Sequence, residues 1–285
     1  MKPYYIQLDK LPGSELSAVL EKHLKISLQE AEALVEIGAV WDHERRIRLK
    51  NPQAKLANIL IKIYRPLEEV KPYQVDIKDI IYINNHYCIV YKHPNSLSHP
   101  APYSDVASLA WGLEKYFGKK VYPVNRLDYI TGGLIFFAFT QKAGSCLQSD
   151  FQNRKIKKWY LARTEKVDNA GKYTLIDDPI THKNKLKQAR SIAIHYYTDE
   201  NSDYFLVKLQ SGRTHQIRIH LAKKYKPIWG DKSYGARHSR GTGLYCVRYV
   251  FTCPISNQKI RVCYLPDDIK TWLVPLGLKN QDLGN

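Results

Sequence analysis

The stretch from Val121 to Thr140, VYPVNRLDYITGGLIFFAFT, constrains this chain more than any other. It opens on the turn signal Pro123, passes Asn125, Arg126 and Asp128, and reaches the pair Gly132-Gly133. Leu134 to Phe139 then run apolar without a break, too short for a free-standing helix and rich in aromatic residues, so they read as a buried strand. Arg126 and Asp128 occupy a loop at the mouth of that strand, where a rigid element holds side chains still. Residues two apart in an extended loop point to the same side, and a guanidinium beside a carboxylate favours the ionised form. An ionised, partly buried Asp so placed serves as a nucleophile or a general base. An ordinary loop salt bridge is the plainer reading of the same pair.

Charge narrows the field of partners. The 285 residues carry 44 Lys+Arg against 27 Asp+Glu, a net charge of +17. That excess suggests a polyanion bound through phosphate neutralisation and counterion release, although a basic protein without such a ligand has the same totals. The 21 tyrosines suit stacking on unpaired bases, while most of them are expected to pack. Five cysteines without a Cys-x-x-Cys pair read as reduced thiols of a cytoplasmic protein. Residues 1–5 open no apolar leader, and no apolar run approaches a membrane span.

Near the N-terminus, Leu16, Val19, Leu20 and Leu24 recur at helical spacing. A second helix starts at Ser27, with Glu30 as capping-box partner, carries Ala31, Leu34 and Val35, and stops at Gly38. Short strands follow around Val40-Trp41 and from Ala57 to Ile63, and Arg45, Arg46, Arg48 and Lys50 between them are candidate phosphate contacts. Two prolines bracket the polar segment Arg65 to Pro72, which reads as a linker. Beyond it, Ile80 to Pro94 reads as strand, Asn84-Asn85 turn, strand and stop, a hairpin by turn chemistry.

Further on, basic residues Arg154, Lys155, Lys157 and Lys158 crowd the approach to a strand containing Tyr160. Tyr204 to Gln210 is another strand, turned by Ser211-Gly212. A helix N-capped by Thr214 is expected over 215–224, with Ile217 and Leu221 inward and Lys223-Lys224 at its end; the alternation of Ile217, Ile219 and Leu221 also fits a strand. His215 and His220 are five apart, off one helical face, so no metal is expected.

Asn125-Arg-Leu-Asp-Tyr-Ile-Thr-Gly-Gly133 resembles the signature of the RluA-type family of pseudouridine synthases, which usually reads His-Arg-Leu-Asp-x-x-Thr-Ser-Gly. Arg126, Leu127, Asp128, Thr131 and Gly133 match; Asn125 replaces His and Gly132 replaces Ser. Other stretches resemble further family motifs in the same order: Lys92-His-Pro94, Lys158-x-Tyr160-x-Ala162, Gly212-Arg-Thr-His-Gln-Ile-Arg-Ile-His-Leu-Ala222 and Pro227-Ile-Trp-Gly-Asp-Lys-Ser-Tyr-Gly235. The resemblance runs from about Ile80 to Ile269.

The resemblance implies an α+β fold, a mixed and mostly antiparallel sheet with flanking helices and a central cleft. It implies isomerisation of a uridine to pseudouridine in structured RNA, with no cofactor. Asp128 would act on C6, on C1′ or on a 2′ proton; Tyr160 would stack on the uracil, and Arg218 would pair with Asp128. Arg126 would fill the space the base leaves. Arg213, a second candidate partner for Asp128, Lys158 and Asn125 would contact RNA, while Asp231 would brace its loop. Residues 1–65 resemble an S4 RNA-binding module, with a docking domain that does not touch RNA as the alternative reading. Residues 66–72 form the linker and 73–285 the catalytic domain. S4 modules point to large-subunit (23S) ribosomal RNA, with transfer RNA as the alternative, and the chain is expected to act as a monomer. A binding-only assembly factor is the rival from another class, which intact Asp128, Tyr160 and Arg218 argue against.

Overall fold

A computed structural model describes residues 3–10, 16–42, 45–47, 57–64, 66, 69–167, 170–182, 185–238, 241–270 and 272. The chain divides into two compact units, residues 1–75 with 99–118, and residues 76–98 with 119–285.

In the first unit, β1 (Tyr4–Lys10), β2 (Val40–Asp42), β3 (Arg45–Arg46) and β4 (Ala57–Ile63) form a sheet in the order β1-β4-β2-β3. Helices α1 (Leu16–Leu24) and α2 (Leu28–Glu36) share one apolar core with it, where Leu20, Ala31, Val35, Val40, Ile61 and Ile63 are sealed from water. The expected capping box is present: the Ser27 hydroxyl accepts from the Glu30 amide at 3.2 Å, and the Ser27 amide donates to Glu30 Oε2 at 2.8 Å. Gly38 ends α2 with a left-handed φ of 76°, where a β-carbon would strain the chain.

Residues 99–118 belong to this unit through backbone bonds. Asp105 donates to Ile37 O at 3.1 Å, and Tyr73 donates to Val106 O at 2.8 Å. Ser108 caps α3 (Leu109–Phe117), a helix the sequence reading does not anticipate. Arg46, an expected phosphate contact, turns inward: its guanidinium donates to the carbonyls of Gly38 and Ala101 and lies 4.3 Å from the centre of the Trp41 ring. Arg48 and Lys50 lie outside the described residues.

The second unit is built on a ten-stranded sheet. Its strands are β5 (Ile80–Ile83), β6 (Tyr87–Lys92), β7 (Tyr122–Pro123), β8 (Gly132–Ala138), β9 (Lys157–Glu165), β10 (Tyr173–Ile176), β13 (Ser191–Thr198), β14 (Ser202–Leu209), β15 (Leu244–Thr252) and β16 (Lys259–Cys263). A separate hairpin joins β11 (Ile180–His182) to β12 (Lys185–Lys187). The main order is β10-β13-β14-β9-β15-β8-β6-β5, with β16 beside β15 and β7 beside β8. Every pairing is antiparallel except β15 with β8. With helices α4 (Gln141–Gln152), α5 (Gln216–Lys224) and α6 (Asp267–Lys270), this is the expected α+β fold.

The expected strand after Gly132-Gly133 is β8, buried along its whole length. Phe136 at its middle packs edge-on against Tyr249 (centroids 4.8 Å apart), Phe151 and Phe251 (both 5.4 Å). The parallel step needs the glycine pair: Gly133 has φ 110°, and a β-carbon there would lie 2.2 Å from the Cys246 carbonyl oxygen. The ambiguous 215–224 segment is a helix, α5, but its N-cap is His215, not Thr214, and no side chain caps it.

Candidate active site

A cleft of about 800 Å³ opens in the second unit, lined by the loop before β8, the end of α4, β9, β14 and the start of α5. Arg126, Arg154, Lys157, Lys158, Lys208, Arg213 and Arg218 line it, against one carboxylate, Asp128. Such a surface attracts a polyanion and concentrates its field on that acid.

The backbone around Asp128 is held from both sides. Leu127 donates its amide to the buried Ser98 hydroxyl at 3.2 Å, and that hydroxyl donates to Leu127 O at 2.9 Å. On the other flank, the Lys92 ammonium donates to Tyr129 O at 3.2 Å, as well as to His93 O and Ser96 O. Burial pulls the Lys92 ammonium down to about 7, with the charge of Asp128 opposing. Thr131 closes the turn by donating to Asp128 O at 3.0 Å.

The expected partner is in place. Arg218 Nη1 donates to Asp128 Oδ2 at 3.3 Å. Arg218 is itself 4% exposed, so it is aimed by what surrounds it: Nε and Nη2 donate to the two oxygens of buried Asp231 at 2.7 and 2.8 Å. Asp231 is thus a brace for the guanidinium. Burial works against the cation, but Asp231 and then Asp128 raise its pKa above the ordinary arginine value. A fork-to-fork pair of this kind adds direction as well as energy.

The segment from Arg190 to Gln216 is locked by an amide. Gln216 Oε1 accepts from Ser211 Oγ (2.8 Å) and from the Arg213 amide (3.0 Å), and its Nε2 donates to Arg190 O (3.0 Å) and Ser191 Oγ (2.9 Å). Because Gln216, Arg218 and His220 are all buried, α5 turns polar side chains inward, which is why its sequence shows no clean apolar stripe.

The remaining candidates fall around the same cleft in different ways. Tyr160 is almost fully buried in its wall; burial, and then the neighbouring Cys246, push its phenol well above the ordinary range. Lys158 lies with its ammonium 5.5 Å from the centre of the Phe151 ring, and burial lowers its pKa. Arg126 and Arg213 are exposed, the latter donating Nε to Gln188 O at 3.1 Å. Asn125 lines the cleft, yet both ends of its amide are engaged within the protein: Nδ2 donates to Tyr249 Oη at 3.0 Å and Oδ1 accepts from the Phe136 amide at 2.9 Å.

Two residues that the sequence reading gives no role join the cluster. His215 Nε2 lies 3.7 Å from Asp128 Oδ1, and its Nδ1 lies 2.9 Å from Tyr234 Oη. Both fall in stretches that match family motifs, yet spacing alone does not show that residues 215 and 234 meet. Among the described residues, no group of three or more His, Cys, Asp or Glu is placed to hold a metal ion, and no helix is long and apolar enough to cross a membrane.

Comparisons with known proteins agree with this geometry. Residues 86–223 match the family model described as RNA pseudouridylate synthase. The tRNA pseudouridine synthase C of Pasteurella multocida is 29% identical over 61% of this chain and 83% of its own length. The ribosomal large subunit pseudouridine synthase D of Neisseria meningitidis is 28% identical over 95% of this chain and 80% of its own. Among solved structures, human RNA pseudouridylate synthase domain containing 4 superposes with a TM-score of 0.55 at 17% identity, over 71% of this chain and 94% of that one. Human RNA pseudouridylate synthase domain containing 1 does so with 0.56 at 21% identity, over 68% and 85%; both likenesses concern the fold. The matched segment contains the Asp128 loop and the Arg218 helix, and it is over this segment that the chain is similar to the RNA pseudouridine synthases, which are isomerases.

Proposed function

We propose that this enzyme isomerises one specific uridine of a structured RNA, foremost large-subunit ribosomal RNA, and that Asp128 is the reacting carboxylate. The observation that carries the reading is the Asp128–Arg218–Asp231 chain: a carboxylate at a cleft, held by a guanidinium that a second, buried carboxylate aims. The reaction breaks the bond from N1 of uracil to C1′, turns the base and joins C5 to C1′, while a proton is lost from C5 and gained at N1. Atoms balance with no redox change, so no cofactor is required.

The uridine leaves its stack at a cost of about a few kcal/mol. Arg126 enters the space it vacates, and Tyr160 stacks on the base. Lys158 and Arg213 meet flanking phosphates, and Asn125 supports the loop from which Asp128 works. For the ribosomal target, support comes from the synthase D relative, whose similarity runs over 95% of this chain, first unit included. The similarity to the transfer-RNA relative covers 61%. Transfer RNA is the second reading. The enzyme acts as a cytoplasmic monomer with RNA as its partner.

The test uses RNA labelled with tritium at C5 of uridine, from a strain lacking the protein. Wild type is expected to release tritium, and carbodiimide mapping to show one new site on large-subunit rRNA. Asp128→Ala is expected to bind the same RNA and release none. Release by Asp128→Ala at the wild-type rate would remove Asp128 from the chemistry, and a site on tRNA alone would replace the target.

A further inference from the structure

The two oxygens of Asp128 are held differently. Oδ2 accepts from Arg218 at 3.3 Å, whereas Oδ1 faces His215 Nε2 at 3.7 Å, beyond hydrogen-bond length. His215 reaches that place from an unusual backbone, φ 56° at the start of α5, a left-handed conformation that is unfavourable for a residue with a β-carbon. Strain of this kind persists only where surrounding contacts over-determine it. Here one such contact is Tyr234, whose hydroxyl lies 2.9 Å from His215 Nδ1 with the rings edge-on at 89°. The same Tyr234 ring lies beneath the Arg218 guanidinium, 5.0 Å from its carbon, so one phenol touches both groups that flank Asp128. A phenol that donates to Nδ1 leaves the proton of a neutral imidazole on Nε2, the nitrogen turned toward the carboxylate.

We infer that His215 is a second positioning residue for Asp128: Tyr234 fixes the tautomer that presents Nε2–H to Oδ1, and the looser hold leaves Oδ1 as the oxygen offered to the uridine. The inference rests on Asp128 being the reacting group. Facing the imidazole are the carboxylates of Asp128 and Asp231, the guanidinium groups of Arg218 and Arg126, and the Tyr234 phenol. Burial is the largest influence and lowers its pKa; Asp128 opposes that, and Arg218 adds to it. The ring is therefore neutral at pH 7. Protonating it converts the loose contact into an ion pair and ties up Oδ1, so acid silences the enzyme through His215.

Two measurements test this. In ¹⁵N-histidine-labelled protein, the His215 resonances are expected to report the Nε2–H tautomer and a titration below about 6.5. Asp128→Asn should lower that midpoint further, because the anion favouring the imidazolium is gone. Tyr234→Phe should mix the tautomers. In parallel, the pH dependence of kcat is compared for wild type and His215→Asn, a replacement that tolerates the left-handed backbone. His215→Asn is expected to lose about tenfold in kcat with far less change in KM, and its acid limb should move to lower pH. An unchanged His215 titration in Asp128→Asn, an Nδ1–H tautomer, or an acid limb that stays put would each overturn the inference. Should wild type turn over no RNA, the proposed function falls while the resonances alone decide the His215–Asp128 pairing.

Discussion

Lys92 shows how much a single residue contributes to holding the Asp128 loop. Its side chain is sealed from water, and its ammonium bonds the carbonyls of His93, Ser96 and Tyr129, the last next to Asp128. Burial lowers its pKa from 10.5 to about 7. Between those values the unfolded chain carries a proton on Lys92 that the folded chain lacks, so stability rises with pH across that window and is lost again as pH falls toward 7. Lys92→Met removes the titration and leaves three carbonyls short of a donor. The stability difference between wild type and Lys92→Met, followed by urea unfolding, is expected to shift in favour of wild type by about 2 kcal/mol from pH 7.5 to 9.5. A difference independent of pH would show Lys92 titrating as an ordinary lysine. At this scale, Asp128 and Arg218 were legible in the sequence because each sits in a motif whose chemistry is distinctive. Lys92, His215 and Tyr234 act through partners 37, 87 and 19 positions away, and spacing along a chain carries no record of such meetings.

Strand β8 and its parallel neighbour β15 form the element on which the site stands, and their close approach explains the departure at Gly132. Gly132 pairs with Tyr245, and a β-carbon on it would lie 2.7 Å from two atoms of that ring. The ring has little room to retreat, being buried and edge-on to Trp272 at 5.5 Å. Gly132→Ser, which restores the residue usual in the family signature, is therefore expected to destabilise this chain by about 1–3 kcal/mol through overpacking. Tyr245→Leu has its own cavity cost. Combined with it, the serine should be tolerated, giving a favourable coupling in a double-mutant cycle by thermal unfolding. Strict additivity would place the departure elsewhere than in the Tyr245 ring. The strands themselves were readable, since β8 is an unbroken apolar run between a glycine pair and Thr140, and α2 carries its capping box in plain sight. Helices α3 and α4 were not. The buried face of α4 consists of Ala143, Gly144, Leu147 and Asp150, too few apolar side chains to raise a 3.6-residue pattern above its polar surroundings.

Across the whole molecule, the net charge of +17 bears on function only through where the cations sit. The first unit was drawn in the sequence as a stretch ending near residue 65. The compact unit also gathers 99–118, held by backbone bonds from Ile37 and Tyr73 that no composition change announces. Within it Arg46 is bound by two backbone carbonyls and stacked on Trp41, so it has little left to offer a phosphate. In the second unit Arg154 and Lys157 line the cleft and are exposed. Each phosphate neutralised on a single strand releases counterions and adds about 0.7 to the slope of log K against log salt. RNA affinity is best measured by fluorescence anisotropy in the Asp128→Asn background, where turnover does not deplete the substrate, over a range of KCl concentrations. Arg154→Gln and Lys157→Gln are each expected to flatten the slope by about 0.7. Arg46→Gln is expected to lower stability and leave the slope where it was, because a cation already bound to carbonyls releases no counterion when RNA arrives. The reverse pattern, with Arg46 setting the slope and the cleft residues silent, would move the RNA track off the cleft and leave Asp128 without a substrate beside it.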